Sequence, residues 1–273
     1  MTASSHTFTI AQISDIHTGS SYFDERLMEA TIEEINELAP DILVVAGDLT
    51  SNGYRDEFVR AAEYIDSIEV ANKIVIPGNH DARNVGYVHF QDIFGNPNRS
   101  YDFTMADGTP VRVVSVDSGK PDLNDGEVGR GAYPEISQAM KSDGSTFRVF
   151  LLHHHLLPVP GTGRERNIVL DAGDVLALLR GLDVHLVLSG HKHVPYVWPL
   201  ADIILVVSGT ATTWRIRGYT EPSYTVIKMK EGHLSIFDWY PGRGKELEAR
   251  YDLKHRQLME KRHAIEQRLL KKV

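Results

Sequence analysis

Short apolar runs that each stop at a polar cluster recur along this 273-residue sequence, and the spacing between them decides what such a chain can become. Residues 8–14 and 41–46 are two such runs. Between them, over residues 25–39, Met28, Ile32, Ile35 and Ala39 fall at helical spacing, so the unit predicts β-α-β. A helix over residues 55–68 and a strand over 73–76 repeat the pattern, and that strand ends in Pro-Gly-Asn-His-Asp. Strand alternating with helix implies a parallel sheet covered by helices. Residues 101–105 and 111–116 flank Ala106-Asp107-Gly108-Thr109 and read as a hairpin. Further strands are expected over 146–152, 183–188, 203–207, 224–229 and 234–239, with helices over 172–180 and 135–141. The predicted fold class is a two-sheet α/β sandwich, one half of the strands coming from each end of the chain. Residues 245–273, free of Gly and Pro and dense in charge, read as a C-terminal helix with Leu258, Ile265 and Leu269 on one face. That helix extends a catalytic domain spanning residues 1–244 or serves as a dimerisation element.

Composition narrows the chemistry. The chain has no cysteine, so disulfides and thiolate metal sites are excluded, and any metal must be held by nitrogen and oxygen ligands. Such a site suits Mn, Fe, Zn or Mg. The net charge of −8 offers polyanions no overall attraction, so a phosphate-bearing substrate would need local positive charge. No apolar run reaches the roughly 18–20 residues that cross a bilayer, and the first five residues lack the basic and apolar regions of a secretory signal. The expected location is the cytoplasm. No internal repeat or biased tract is present.

Five polar motifs follow predicted strands directly. Asp15-Ile16-His17 follows the first, and side chains two apart on an extended segment point to one side. Gly47-Asp48 follows the second, where Asp48 has two oxygens able to bridge a pair of cations. Gly78-Asn79-His80-Asp81 follows the third; an Asn carbonyl is a neutral oxygen ligand, and His80 can act as an acid or hydrogen-bond donor. His153-His154-His155 and Gly190-His191-Lys192-His193 follow later strands, and imidazole suits the same metals. Each motif alone is compatible with an ordinary polar turn. Five in succession at strand ends are not.

This ordered set resembles the calcineurin-like metallophosphoesterases, over residues 8–213. The resemblance implies a four-layer α/β/β/α sandwich of two mixed sheets with a dinuclear metal site at the strand ends. It implies that Asp15, His17 and His193 hold one divalent ion (Mn, Fe or Zn), that Asn79, His153 and His191 hold the other, and that Asp48 bridges them. His80 is the implied substrate-side histidine, acting on a hydroxide-driven phosphoester hydrolysis. His153 is matched as the first histidine after the strand, with His154 and His155 as alternatives; strand alternation sends His153 and His155 to one face and does not separate them. Asp81-Ala82-Arg83 and the His-rich strand end look similar to the class III cyclic nucleotide phosphodiesterase and glycerophosphodiesterase branch, although Leu156-Leu157-Pro158 replaces the Pro that often follows the histidines there. Arg83 reads either as a phosphate contact or as an ion pair fixing its loop. Asp117 reads as a partner for a ligating His or, more simply, as a turn residue.

The expected substrate is a small phosphoester, above all a cyclic nucleotide or another phosphodiester, with phosphomonoesters as the alternative. Nucleic acid is a rival substrate, motivated by Lys254, Arg256, Lys261, Arg262, Arg268, Lys271 and Lys272. Interleaved Glu246, Glu248, Glu260 and Glu266 argue instead for a solvated helix or one that packs on a second copy of the chain. A non-catalytic scaffold is disfavoured because no ligand position is missing.

Overall fold

The apolar runs form strands buried on both faces, and this requires a layer on each side of every sheet. In the computed structural model, residues 7–141, 144–162, 168–216, 220–264 and 266–267 are described. The order begins β1 (Phe8–Ile13), α1 (Glu25–Leu38), β2 (Ile42–Ala46), α2 (Arg55–Asp66), β3 (Lys73–Ile76) and α3 (Gly86–Phe94). It continues with β4 (Arg99–Thr104), β5 (Pro110–Ser115), α4 (Tyr133–Ala139), β6 (Phe147–Leu151), α5 (Ala172–Gly181), β7 (Leu186–Ser189), β8 (Tyr196–Leu200) and β9 (Ile203–Val207). The last elements are β10 (Tyr224–Lys230), β11 (His233–Tyr240), β12 (Gly244–Asp252) and β13 (Gln257–Lys261).

Two mixed sheets result, one in the order β13-β12-β11-β10-β1-β2-β3 and the other β4-β5-β6-β7-β9-β8. Ile10, Ile42, Val44 and Ile76 meet Val113, Val149, Leu151 and Leu188 between the sheets. Met28, Ile35, Phe58, Ala61 and Phe90 of the first three helices cover the outer face of the first sheet, over Ile13 and Val45. Ile136, Val175 and Leu179 cover the other, over Phe150 and Val187. The expected four-layer α/β/β/α sandwich is therefore the fold. Full burial of each such aliphatic side chain contributes about 1.5–3 kcal/mol.

Pairing β1–β2–β3 and β5–β6–β7–β9 is parallel, which brings the C-terminal ends of β1, β2 and β3 to one edge and those of β6 and β7 to one edge of the facing sheet. The strands do not divide by chain half. The first sheet takes strands from both ends of the sequence because β1 pairs antiparallel with β10, and the second comes from the middle.

The expected C-terminal helix is corrected. Residues 244–261 form β12 and β13, because Ala249 and Tyr251 alternate into the core between the sheets and Leu258 packs against it, a period of two that outweighs the helix-favouring composition. Charges in and just after this segment are paired: Arg256 with Asp183 at 2.6 Å, Lys261 with nearby Glu266 at 2.9 Å and Arg262 with Asp238 at 2.6 Å. Ile265, Arg268, Leu269, Lys271 and Lys272 lie outside the described residues. Helix α3 and strand β8, which the apolar pattern did not flag, complete the fold. Among the described residues no helix is long and apolar enough to cross a membrane.

Candidate metal centre

Beyond the strand ends the first two loops run side by side. The N–H groups of Asp15, His17 and Thr18 donate to the carbonyls of Gly47, Asp48 and Leu49, each at 2.9 Å. Within these loops the chain leaves extended geometry. Asp15 (φ 56°), His17 (53°), Asp48 (53°), His191 (76°) and His193 (59°) all occupy the left-handed region. Such residues cost on the order of 1–3 kcal/mol each and persist where the surroundings over-determine them. Asp15 with His17, and His191 with His193, therefore converge through left-handed turns and not through the strand alternation expected from their spacing.

Among the described residues three overlapping groups could hold a metal ion, and two of them match the expected ligand sets. In the first, Asp15, His17 and His193 are buried with their ligand atoms within 4.8 Å of one another. His193 Nε2 lies 3.2 Å and His17 Nε2 3.9 Å from Asp15 Oδ1. His17 Nδ1 faces the Thr50 carbonyl at 3.2 Å, and His193 Nδ1 faces that of Arg215. A carbonyl only accepts, so each Nδ1 carries a proton and each ring turns its Nε2, the atom left to ligate, inward. Those two Nε2 atoms are 3.0 Å apart, and Asp15 Oδ1 beside them is buried without a hydrogen bond. Nitrogen and oxygen atoms crowded in this way could hold a cation between them.

The second group is Asp48, His153 and His191. His153 Nε2 is 3.4 Å from Asp48 Oδ2 and 3.3 Å from His191 Nδ1, while its Nδ1 donates to the Ala46 carbonyl at 2.7 Å. Asn79 Oδ1 is also buried with no hydrogen bond. Asp48 joins the groups: Oδ1 accepts the His80 N–H at 2.8 Å, and Oδ2 lies 3.8 Å from His17 Nε2 as well as against His153. The donor set, all nitrogen and oxygen with orphaned oxygens on each side, fits two divalent ions.

Electrostatics follow from burial. Burial holds His17 down to about 3, against the pull of Asp48, and holds His191 well below its ordinary value. For His153 burial opposes charge, but the Asp48 carboxylate overrides it and raises the ring to about 10. Burial and the nearby Asp48 push Asp81 up to about 7, against hydrogen bonds from Gly78 and Thr50. Asp81 accepts from the N–H of Leu49, Thr50 and Gly78 and from the Thr50 hydroxyl, and so clamps the Asp48 loop to the Asn79 loop.

The structure separates the histidine triplet. His153 joins Asp48 and His191, whereas His154 meets Ser118 Oγ at 2.8 Å and the Asn124 carbonyl at 3.2 Å, and His155 stacks on the His191 ring at 5.6 Å. His80 lies with His17 and Asp48, its ring 4.6 Å from that of His17 and its Nδ1 2.7 Å from the Ser51 carbonyl. Arg83 donates to the Ser51 carbonyl at 3.3 Å and to Asn124 Oδ1 at 2.8 Å, and among the described residues no carboxylate pairs with it. Asp117 takes the turn role, accepting the Gly119 N–H at 2.7 Å. Ser118 and Asn124 escaped the sequence reading because residues 118–126 carry no periodicity, and their Gly, Pro, Asn and Asp residues signal turns without saying what the turns meet.

Comparison with known proteins agrees with this geometry. The family profile described as calcineurin-like phosphoesterase matches residues 8–195. A probable cyclic nucleotide phosphodiesterase of Rhodococcus erythropolis is 27% identical over 181 residues, 64% of this chain and 58% of that protein, so the chain spans little more than half of that relative's length. A 3′,5′-cyclic-nucleotide phosphodiesterase of Nostoc is 26% identical over 68% of this chain and 71% of its own. A dimetal phosphatase of Danio rerio shares the fold, with a TM-score of 0.64 at 13% identity, covering 87% of this chain and 96% of that one.

Proposed function

The chain belongs to the calcineurin-like phosphoesterase family, and from that premise we propose that it is a metal-dependent phosphodiesterase acting on cyclic nucleotides or other small phosphodiesters. The observation that carries this reading is the position of Asp48 Oδ2 between two buried ligand groups. The names of the curated relatives favour the diester class.

Asp15, His17 and His193 would hold one ion and Asn79, His153 and His191 the other, with Asp48 shared. Two divalent ions held there would supply the activation of an attacking water at neutral pH and positive charge for the phosphoryl oxygens. The carbonyls of Thr50, Ala46 and Arg215 keep three imidazoles in the tautomer that leaves Nε2 free to ligate. His80 is the proposed acid. In its charged form it keeps its bond to Ser51 and gains an Nε2–H for a phosphoryl oxygen or the leaving alkoxide. Burial opposes that form and Asp48 favours it. Arg83, with donors beyond the two it spends on Ser51 and Asn124, is the proposed phosphate contact.

Mn, Fe or Zn suits the donor set. The nucleic-acid reading loses support, since Arg256, Lys261 and Arg262 already face carboxylates. The test is a substrate panel under Mn comparing phosphomonoesters, linear diesters, 2′,3′- and 3′,5′-cyclic nucleotides and oligonucleotides. Turnover of small diesters is expected to dominate. Fewer than two metals per chain, with no hydrolysis of bis-p-nitrophenyl phosphate, would refute the proposal.

A further inference from the structure

The two ends of the Asn79 carboxamide have opposite chemistry: its oxygen can ligate a cation and its NH2 cannot. Asn124 decides which end of that amide faces it. Arg83 Nη2 donates to Asn124 Oδ1 at 2.8 Å, and because a guanidinium has only donors, the Asn124 atom it meets must be the oxygen. That same oxygen lies 3.3 Å from Asn79 Nδ2. An amide oxygen cannot donate, so the Asn79 atom facing it must be the NH2. The Asn79 oxygen is then turned the other way, and there it is buried with no hydrogen bond.

Asn124 is itself held from several sides. Its main-chain carbonyl faces His154 Nε2 at 3.2 Å, and the ring of His154 lies 4.6 Å from that of His191. Nearby, the Asp122 N–H donates to the Ala82 carbonyl at 3.3 Å, and Asp122 Oδ1 accepts the Asn84 N–H at 3.1 Å. Gly126 admits His154: a Cβ there would stand 2.5 Å from the imidazole. Residues 118–126 thus form a strap between the loop after β3 in one sheet and the end of β6 in the other.

We propose that Asn124 is a positioning residue which, polarised by Arg83, fixes the Asn79 carboxamide with its oxygen towards the metal. The inference rests on the reading of Asn79 as a ligand. It gives Arg83 a second role, exercised through Asn124 and independent of substrate.

The test titrates Mn(II) into the metal-free full-length chain and reads free Mn by electron paramagnetic resonance, with circular dichroism and melting in chelator as the measure of folding. Asn124→Leu, which keeps the volume and removes the oxygen, is expected to lose about 10–100-fold in affinity at one of two sites. Asn124→Asp, which keeps an oxygen facing both neighbours, is expected to bind as the wild type does. Arg83→Met, which removes the donor that sets the polarity, is expected to lose less than Asn124→Leu but measurably. A merely structural role would not separate Asp from Leu. Wild-type affinity in Asn124→Leu, or equal losses in the Asp and Leu variants, overturns the inference. Should Asn124→Leu not fold, wild-type affinity in Arg83→Met overturns it instead. If the wild type itself binds fewer than two Mn, it is the ligand reading that has failed.

Discussion

His153 Nε2 stands 3.4 Å from Asp48 Oδ2, and that approach joins the end of β6 in one sheet to the end of β2 in the other. The imidazole is held by the carbonyl of Ala46, the last residue of β2, so the contact crosses the sandwich twice. A metal seated against both residues would therefore tie the two sheets together. Saturating Mn is expected to raise the melting temperature by roughly 5–10 °C over chelated protein, since ligand at 100 times its Kd adds about 2.7 kcal/mol. His153→Ala and Asp48→Asn should each bind fewer than two Mn and lose most of that increment. Scanning calorimetry with and without chelator measures it.

The adjacent residues Asn79 and His80 should part company under mutation. Asn79→Ala is expected to lose metal and activity together. His80→Ala is expected to keep its metal and lose about 10²–10⁴-fold in kcat, the usual contribution of a general acid. Metal analysis alongside steady-state kinetics separates the two, and the reverse pattern would contradict the assignment.

Gly47 sets how closely the Asp48 loop can approach its neighbours. Its φ is 88°, and a Cβ would lie 2.5 Å from His153 Nδ1 and 2.8 Å from the Gly78 nitrogen. Gly47→Ala is expected to destabilise the fold by about 1–3 kcal/mol, the usual cost of overpacking. It should also weaken metal binding by displacing His153. Urea denaturation of the metal-free protein reads the first effect, and Mn titration the second.

His185, remote from the proposed ligands, gives the expected response of stability to acid. Burial first, then the charge of Arg256, lower its pKa from the ordinary 6.5 to about 4. The unfolded chain therefore binds the proton more tightly than the folded one. Stability is fully present above pH 6.5 and declines as pH falls from 6.5 through 4. With solvent screening the loss from this group by pH 5 is on the order of 1 kcal/mol. His185→Gln should lose correspondingly less between pH 7 and pH 5 in paired denaturation curves. An unchanged difference would remove His185 as the cause.

The sequence by itself determined most of the strands, most of the helices and the five motifs at strand ends, because hydrophobic periodicity and strand-terminating polar residues are local properties. It misjudged residues 244–261, where helix-favouring composition masked the alternation of Ala249 and Tyr251 into the core. Only the tertiary structure decided which histidine of the triplet meets Asp48, since that depends on the reach of β6 across to β2, and neighbours in sequence carry identical side chains. It also decided how Asp15, His17, His191 and His193 converge, through left-handed backbone that no spacing rule encodes. Asn124 reaches Asn79 across 45 residues of sequence, by a loop without periodicity, and a contact of that kind exists only once the two sheets have packed.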